Sequence, residues 1–467
     1  MNFEFSEEQD LLREQAQSFL NQHSPLDAVR AVLEGDQAYD AKLYAGMAEL
    51  GWTATTIPEQ YGGIGLGHLE LCVIAEELGR SLAPTPFSSC IYLVSEALQL
   101  FGSDAQKQRY LPGLASGETI GAFALAEGPQ PATAANLTSR VEGDALTGTK
   151  VPVADGDCAN FAIVLAADAD GGSLYLVDLD GPGVQRTTVE TLDPTRSHAS
   201  IEFSAAPAER LGEAGAGWLQ TDRIFDRAAV LFAFEQVGGA HAALDMAKEY
   251  ALGRFAFGRP IASFQAIKHK LADMYIAATL ARLNCYYGAW ALSTDAAELP
   301  VAAATARVSA SQAFHECAKE NIQTHGGMDR VLEASVEYAK TRKQFGKLIG
   351  SFQAVQHQCS DMLLMLESSR SATYYAAWAA TLPHDPAGER NPDCDRAVSI
   401  AKAYCSDAGR EVGNRAVQVH GGIGFTWEHD LHLYYRRAKL LSVNLGSLPR
   451  WKNRLITNIE TSNALSA

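Results

Sequence analysis

Two kinds of group in this 467-residue sequence have the chemistry to hold a phosphorylated ligand and to work on it. The first is a pair of short segments: Arg342-Lys343-Gln344-Phe345-Gly346, running on through Ser351-Phe352-Gln353, and Gln418-Val419-His420-Gly421-Gly422-Ile423-Gly424-Phe425 further along. An arginine presents a planar fork of donors to a diphosphate. A Gly-Gly turn lets backbone N–H groups approach phosphate with no Cβ in the way. Both devices suit a dinucleotide, although a Gly pair taken alone is as often a helix-ending turn. The second kind is a carboxylate for proton transfer, Glu235, next to the apolar run Val230-Leu231-Phe232-Ala233-Phe234. An acid in such surroundings is a candidate base, and its plainer reading is a Glu whose head reaches a partner at a helix–helix contact. His420 and His325, beside the Gly pairs, read as helix-end hydrogen-bonding residues, and no His/Asp/Glu spacing suggests a metal. Arg436-Arg437 with Lys439 reads as a solvated helix face before a phosphate contact.

The diphosphate-binding segments occur twice. At an offset of 88, residues 239–291 and 327–379 share 22 identities in 53 positions, among them Arg254/Arg342, Phe257-Gly258/Phe345-Gly346, Ser263-Phe264-Gln265/Ser351-Phe352-Gln353 and Asp273-Met274/Asp361-Met362. Gln323-Thr324-His325-Gly326-Gly327 matches Gln418-Val419-His420-Gly421-Gly422 at an offset of 95, the extra residues falling in the loop near Pro383-His384-Asp385-Pro386. Two copies of one helical unit abut at Gly326-Gly327. The second copy continues through Trp427 into Tyr434-Tyr435-Arg436-Arg437, which makes it the more complete of the two.

The elements that must position these groups follow the order α, then β, then α, an α+β multidomain architecture. Ser6 with Gln9 three residues on forms a capping-box pattern ahead of a helix over 6–23. Further helices are expected over 38–50, 67–80, 88–101 and 104–115. From 119 to 210 the runs Phe161-Ala162-Ile163-Val164-Leu165 and Leu174-Tyr175-Leu176-Val177 lie between Gly/Asp turns and predict a small β-barrel or sandwich. From 216 onward, Ala-rich stretches read as the long antiparallel helices of a bundle, with Trp290 and Trp378 in its core. The expected domains are 1–117 (helical), 118–212 (β), 213–327 (bundle, first copy) and 328–467 (bundle, second copy).

Composition narrows the function classes. With 38 basic against 55 acidic side chains the net charge is -17, which argues against nucleic acid or an anionic membrane as partner. The eight cysteines form no CxxC pair, so neither a zinc site nor a disulfide framework is expected, and a reduced cytoplasmic setting fits. The start of the chain is acidic and amphipathic, unlike a signal peptide, and no run reaches the length of a membrane span.

Taken together, the Arg342-to-Gln353 segment, the Gln418-to-Phe425 segment and the middle segment Gly121-Ala122-Phe123-Ala124-Leu125-Ala126-Glu127 make the chain resemble the flavin-dependent acyl-CoA dehydrogenases over essentially its whole length. The resemblance implies FAD as cofactor, held by Arg342, Phe352, Gln353, Gln418, Gly421 and Gly422, with Arg254, Phe264, Gln265, Gln323, Gly326 and Gly327 as the matching set of the first copy. It implies an acyl-CoA substrate converted to a trans-2-enoyl-CoA in fatty-acid or steroid side-chain catabolism. Electrons pass to an electron-transfer flavoprotein, and the assembly is a homo-oligomer or a heteromer with a related subunit. The sequence departs from the family where the base belongs. Most members carry a Glu at the position of Leu445, followed here by Gly446 and Ser447, and a minority at that of Ala228. Glu235, seven residues beyond Ala228 and about two turns along nearly the same helical face, is the remaining candidate. Family Thr residues that face the flavin ring are replaced in Leu125-Ala126-Glu127 and Pro152-Val153-Ala154, and Pro129-Gln130-Pro131-Ala132-Thr133 lacks the Gly-Ser of the substrate loop. The absent Glu also raises a second reading, a non-catalytic FAD-binding subunit of a heteromeric dehydrogenase.

Overall fold

The computed structural model describes residues 6–191, 193–256, 259–263, 265–325, 335–344, 346–379 and 392–421, together with 449–450, 452–453 and 455–456. The chain divides into two compact units, Met1–Asn321 and Ile322–Ala467.

The first unit opens with six helices: α1 (Glu7–His23), α2 (Leu26–Glu34), α3 (Ala41–Glu49), α4 (His68–Ser81), α5 (Glu96–Phe101) and α6 (Asp104–Ala115). The capping box at the start of α1 forms as its sequence predicts, with Gln9 N donating to Ser6 Oγ and Ser6 N to Gln9 Oε1, and Ser103 with Gln106 repeats it ahead of α6. Helix α2 is an addition to the expected set: it starts after Pro25 with no side-chain cap, so the polar start signal is missing there. Residues Ser88–Ser95 are π-helical where an α-helix was expected. The hydroxyls of Ser88 and Ser89 are buried there and bond to Arg196 and Asp155, ties from outside the segment that stand alongside its wider turns.

The middle domain is an eight-stranded sheet: β1 (Gly121–Ala124), β2 (Arg140–Glu142), β3 (Ala145–Ala154), β4 (Phe161–Asp168), β5 (Gly171–Asp178), β6 (Val184–Thr188), β7 (His198–Pro207) and β8 (Glu209–Leu211). Their order is β6-β7-β3-β2-β4-β5-β8, with β1 parallel to β4 through Gly121↔Phe161 to Ala124↔Val164. The run Phe161 to Ala166 is buried throughout, which is why β4 reads as a continuous apolar stretch.

Helix α7 (Gly217–Gly253) then crosses α4 at close range. A Cβ on Gly79 would lie 1.9 Å from the Glu235 carbonyl oxygen, and one on Gly238 would lie 1.8 Å from that of Glu76, so each helix needs its glycine for the other's backbone. Next come the two-residue strands β9 (Phe255–Ala256) and β10 (Arg259–Pro260), then α8 (Gln265–Ser293) and α9 (Leu299–His325). Trp290 stacks on Tyr287 and packs against the core.

In the second unit a helical stretch α10 (residues 335–341) leads to β11 (Lys343–Gln344), β12 (Lys347–Leu348), α11 (Gln353–Ala379) and α12 (Pro392–His420). Each strand of the second hairpin falls 88 residues after its counterpart in the first, as do the 3₁₀ turns Ile261–Ser263 and Ile349–Ser351. The core of this unit repeats the pattern too: Met362 is fully buried with Ala339 and Val412, as Met274 is with Ala247 and Cys317 in the first.

Candidate functional site

Each hairpin is built the same way down to its backbone bonds. In the first, Arg254 N donates to Tyr250 O (2.8 Å) and Ile261 N to Arg254 O (2.7 Å), and Arg259 faces Ala256 across the turn. In the second, Arg342 N donates to Tyr338 O (2.9 Å) and Ile349 N to Arg342 O (2.9 Å), and Lys347 faces Gln344. The arginine is thus fixed at the point where a helix hands over to the hairpin, its backbone committed on both sides. Arg342, Lys343 and Lys347 are exposed, and none bonds an acidic side chain among the described residues. Gly346 takes φ +75°, and a Cβ there would meet nothing within 4 Å among the described residues, so these leave the turn open toward a ligand. Three free cations beside an open glycine turn form a donor set that fits a diphosphate.

The other expected residues are placed as follows. Phe352 and Gln353 are exposed at the start of α11, Gln265 is exposed at the start of α8, and Arg254 is half-buried. Gln418 is exposed near the end of α12, and Gly421 just beyond it takes φ +61°. His420 is buried, its Nδ1 2.9 Å from Ala416 O and its ring stacked on Tyr338 at 4.5 Å. Gln323 is helical in its backbone. The side chains of Gln323, His325 and Trp378, and all of Phe264, Gly326, Gly327, Gly422, Trp427, Arg436, Arg437, Lys439, Leu445, Gly446 and Ser447, lie outside the described residues.

Glu235 sits on α7 facing the π-helical segment and the loop before β7. Its Oε2 pairs with Arg196 Nη2 at 3.0 Å, while Arg196 Nη1 donates to Ser88 Oγ. Its Oε1 is buried and accepts no hydrogen bond among the described residues. The neighbouring Tyr92 hydroxyl is buried as well and faces the Glu235 carboxylate, pushed well above the usual phenol range by burial and then by the Glu235 charge. Ala228, two turns back, is buried, and Arg227 beside it anchors α7 through Nε to Glu96 (2.6 Å) and Nη1 to Asp295 (2.9 Å).

The middle domain adds groups that the sequence reading did not single out. Lys150 is fully buried and pairs with Glu127 Oε1 at 2.7 Å, also donating to Leu125 O. Glu127 accepts from Thr138 N and Oγ1 and from Ser139 N as well. Burial works against its charge, and the hydrogen bonds from Lys150, Thr138 and Ser139 outweigh it, so the carboxyl falls to about 2. The Lys150 ammonium is lowered by burial, with Glu127 opposing. This pair pins the loop over a pocket of about 180 Å³ lined by Leu125, Glu127, Gly128, Gln130, Asn136 and Leu137. The signal was present: Lys150 takes an inward position, between Leu146 and Val153, in the alternation of β3. Asp155, at φ +56°, is almost wholly buried beside Ser89, Arg196 and His198. Burial raises its carboxyl to about 6, against the Ser89 hydrogen bond of 2.5 Å.

The sequence profile described as "Acyl-CoA dehydrogenase, C-terminal domain" matches residues 215–329 and again 326–448, and "Acyl-CoA dehydrogenase, N-terminal domain" matches 6–118. The chain belongs to the acyl-CoA dehydrogenase family. It is 35% identical over 325 residues to acyl-CoA dehydrogenase IpdE2 of Mycobacterium tuberculosis, covering 69% of this chain and 86% of that protein. It is 32% identical over 353 residues to the mitochondrial short-chain specific acyl-CoA dehydrogenase of Rattus norvegicus, covering 72% and 84%. In fold it is similar to the butyryl-CoA dehydrogenase of Megasphaera elsdenii, with a TM-score of 0.59, 21% identity, and coverage of 98% and 100%. Members of the family are FAD-dependent flavoproteins, and the order of helices, sheet and helices is theirs. The double match of the C-terminal profile falls on the two copies that the hairpins make visible. Among the described residues no group of three metal-ligating side chains occurs, and no helix is long and apolar enough to cross a membrane.

Proposed function

We propose that this chain is a catalytically self-sufficient acyl-CoA dehydrogenase that converts an acyl-CoA thioester to a trans-2-enoyl-CoA and delivers the electrons to an electron-transfer flavoprotein, working as an oligomer. The observation that carries the reading is the Arg hairpin with its open glycine and free cations, set in a chain of this family's architecture. Arg342, Phe352, Gln353, Gln418, Gly421 and Gly422 are the residues we assign to the FAD, with Arg254, Gln265, Gln323 and Gly326 as the equivalent set of the first copy. FAD, when bound, supplies the acceptor for the hydride that leaves the β-carbon.

The base we assign is Glu235. Arg196 holds Oε2 and leaves Oε1 bare, which fixes the carboxylate in one orientation with a lone pair available for the α-proton. The buried Tyr92, with the half-buried Phe232 packed edge-on against it at 5.4 Å, keeps bulk water from competing for that proton.

One observation favours the second reading, a partner subunit that binds FAD without turning over substrate: the Arg196–Glu235 ion pair is also what a purely structural Glu would make. Glu235→Gln separates the two. Loss of a general base lowers flavin reduction by about 100- to 10,000-fold with FAD content unchanged. Reduction at the wild-type rate moves the base to another subunit.

A further inference from the structure

Arg196 stands between two carboxylates. On one side Glu235 takes Nη2 at 3.0 Å. On the other, Asp155 faces the same guanidinium, near enough to act on its charge but without an ion-pair contact. Adjoining residues tie the two sides together. Ser88 Oγ accepts from Arg196 Nη1, and its neighbour Ser89 donates to Asp155 Oδ2 at 2.5 Å. Asp155 N donates to Ser197 O at 2.9 Å, one residue along from the arginine, and His198 Nδ1 lies 2.9 Å from Arg196 O. Asp155 is thereby bound to both segments that hold Arg196, the π-helical turn and the loop before β7.

The charges in this cluster do not balance. Asp155 is 2% exposed and Glu235 Oε1 is buried, so neither carboxyl is fully supported by water. One guanidinium neutralises one carboxylate. Asp155 also faces His198, Asp157 and Cys158 of the sheet domain, Cys90 of the π-helical turn and Tyr44 of α3. Glu235 also faces Tyr92 and Arg307 of α9, whose guanidinium lies over the Phe232 ring at 5.4 Å and makes no ion pair with Glu235. Asp157 adds negative charge on one side and Arg307 positive charge on the other, which leaves Asp155 as the carboxyl short of a partner. Its proton is accordingly held up to about 6, by burial above all.

We infer that Asp155 is a positioning residue for the proposed dehydrogenation, acting through Arg196 on the hold and the basicity of Glu235. This rests on Glu235 as the base. Neutral, Asp155 leaves the Arg196 charge to Glu235. Ionised, it draws on the same charge, and Glu235 becomes the stronger base for the α-proton. Such a coupling is reciprocal, so removing the Glu235 charge must free Arg196 to favour the ionised Asp155.

Two readouts on the full-length chain test it. The first does not depend on turnover: carbon-13 NMR of aspartate carboxyls, the Asp155 signal being the one absent from Asp155→Asn, followed from pH 4.5 to 7.5 in the wild type and in Glu235→Gln. A midpoint near 6 in the wild type and a several-fold weaker proton affinity in Glu235→Gln are expected. An unmoved midpoint overturns the inference. The second is the rate of anaerobic flavin reduction at saturating acyl-CoA against pH. The wild-type rate should rise through about 6, and Asp155→Asn should lose that rise with its FAD content unchanged. A rise that persists in Asp155→Asn overturns the positioning role. Circular dichroism checks each fold, and should Asp155→Asn not fold, Ser89→Ala, which removes a hydrogen bond to the ionised carboxyl, should move the rise to higher pH. Flavin reduction at the wild-type rate in Glu235→Gln refutes the base assignment whatever the midpoint does. An unmoved midpoint with reduction lost in Glu235→Gln refutes the coupling and leaves the base standing.

Discussion

Replacing Asp155 by Asn should make the protein more stable at neutral pH. Asp155 carries its carboxyl where the sheet domain meets the π-helical segment at Ser89, nearly all of it out of water, facing Ser89, Arg196, His198 and Asp157. Burial lifts its pKa from 3.8 to about 6, the hydrogen bond from Ser89 and the charges of Arg196 and His198 recovering only part of the lost hydration. The folded state therefore holds this proton more tightly than the unfolded chain does. The corresponding stability is fully present below pH 3.8 and is lost as pH rises through about 6. A shift of two units corresponds to about 3 kcal/mol between those limits. Asparagine keeps the shape, accepts from Ser89, tolerates the left-handed φ of +56° and never ionises. Urea unfolding of both proteins from pH 4.5 to 7.5 should show curves that diverge upward through pH 6, with Asp155→Asn ahead by about 1 to 3 kcal/mol at pH 7.5. Parallel pH profiles, or a less stable variant at pH 7.5, would refute the reasoning and show that Arg196 fully supports the ionised carboxylate.

Three further expectations can be checked in the same way. Lys150→Met leaves Glu127 without its buried cation and should cost about 3 kcal/mol in urea unfolding while exposing residues 128–138 to limited proteolysis. In the wild type the Glu127 contribution, present above its ordinary range near 4.5, should be lost only as pH falls toward 2, visible as an acid transition that Glu127→Gln abolishes. Gly79→Ala, which would stabilise an ordinary helix, should here cost about 2 kcal/mol or more in thermal or urea unfolding, because the new Cβ would lie 1.9 Å from the Glu235 carbonyl oxygen on α7.

Local signals and repetition were the legible parts of the sequence. Ser6 with Gln9 announced α1, the runs at Phe161 and Leu174 announced β4 and β5, and the offset of 88 between Arg254 and Arg342 announced two hairpins that the backbone then repeats bond for bond. What stayed hidden depends on residues distant in sequence. Arg196 meets Glu235 across 39 positions and Ser88 across 108, and no local pattern ties a loop arginine to a helix carboxylate. The π-helical turn at Ser88–Ser95 is hidden for a related reason, since the Arg196 and Asp155 bonds to it come from another domain. Lys150 was readable in principle, as a charge on the inward side of an alternating strand. The proposed base is the hardest case. Family positions pointed to Leu445 and Ala228, whereas the bare oxygen of Glu235 became visible only once its neighbours were in place.

The most direct test of the central claim is the visible spectrum of the purified chain before and after anaerobic addition of a panel of acyl-CoAs. Bound oxidised flavin that bleaches in the wild type, and bleaches far more slowly in Glu235→Gln, is the predicted result. A chain that binds no flavin, or whose bound flavin keeps its oxidised spectrum with every thioester, would contradict a self-sufficient dehydrogenase.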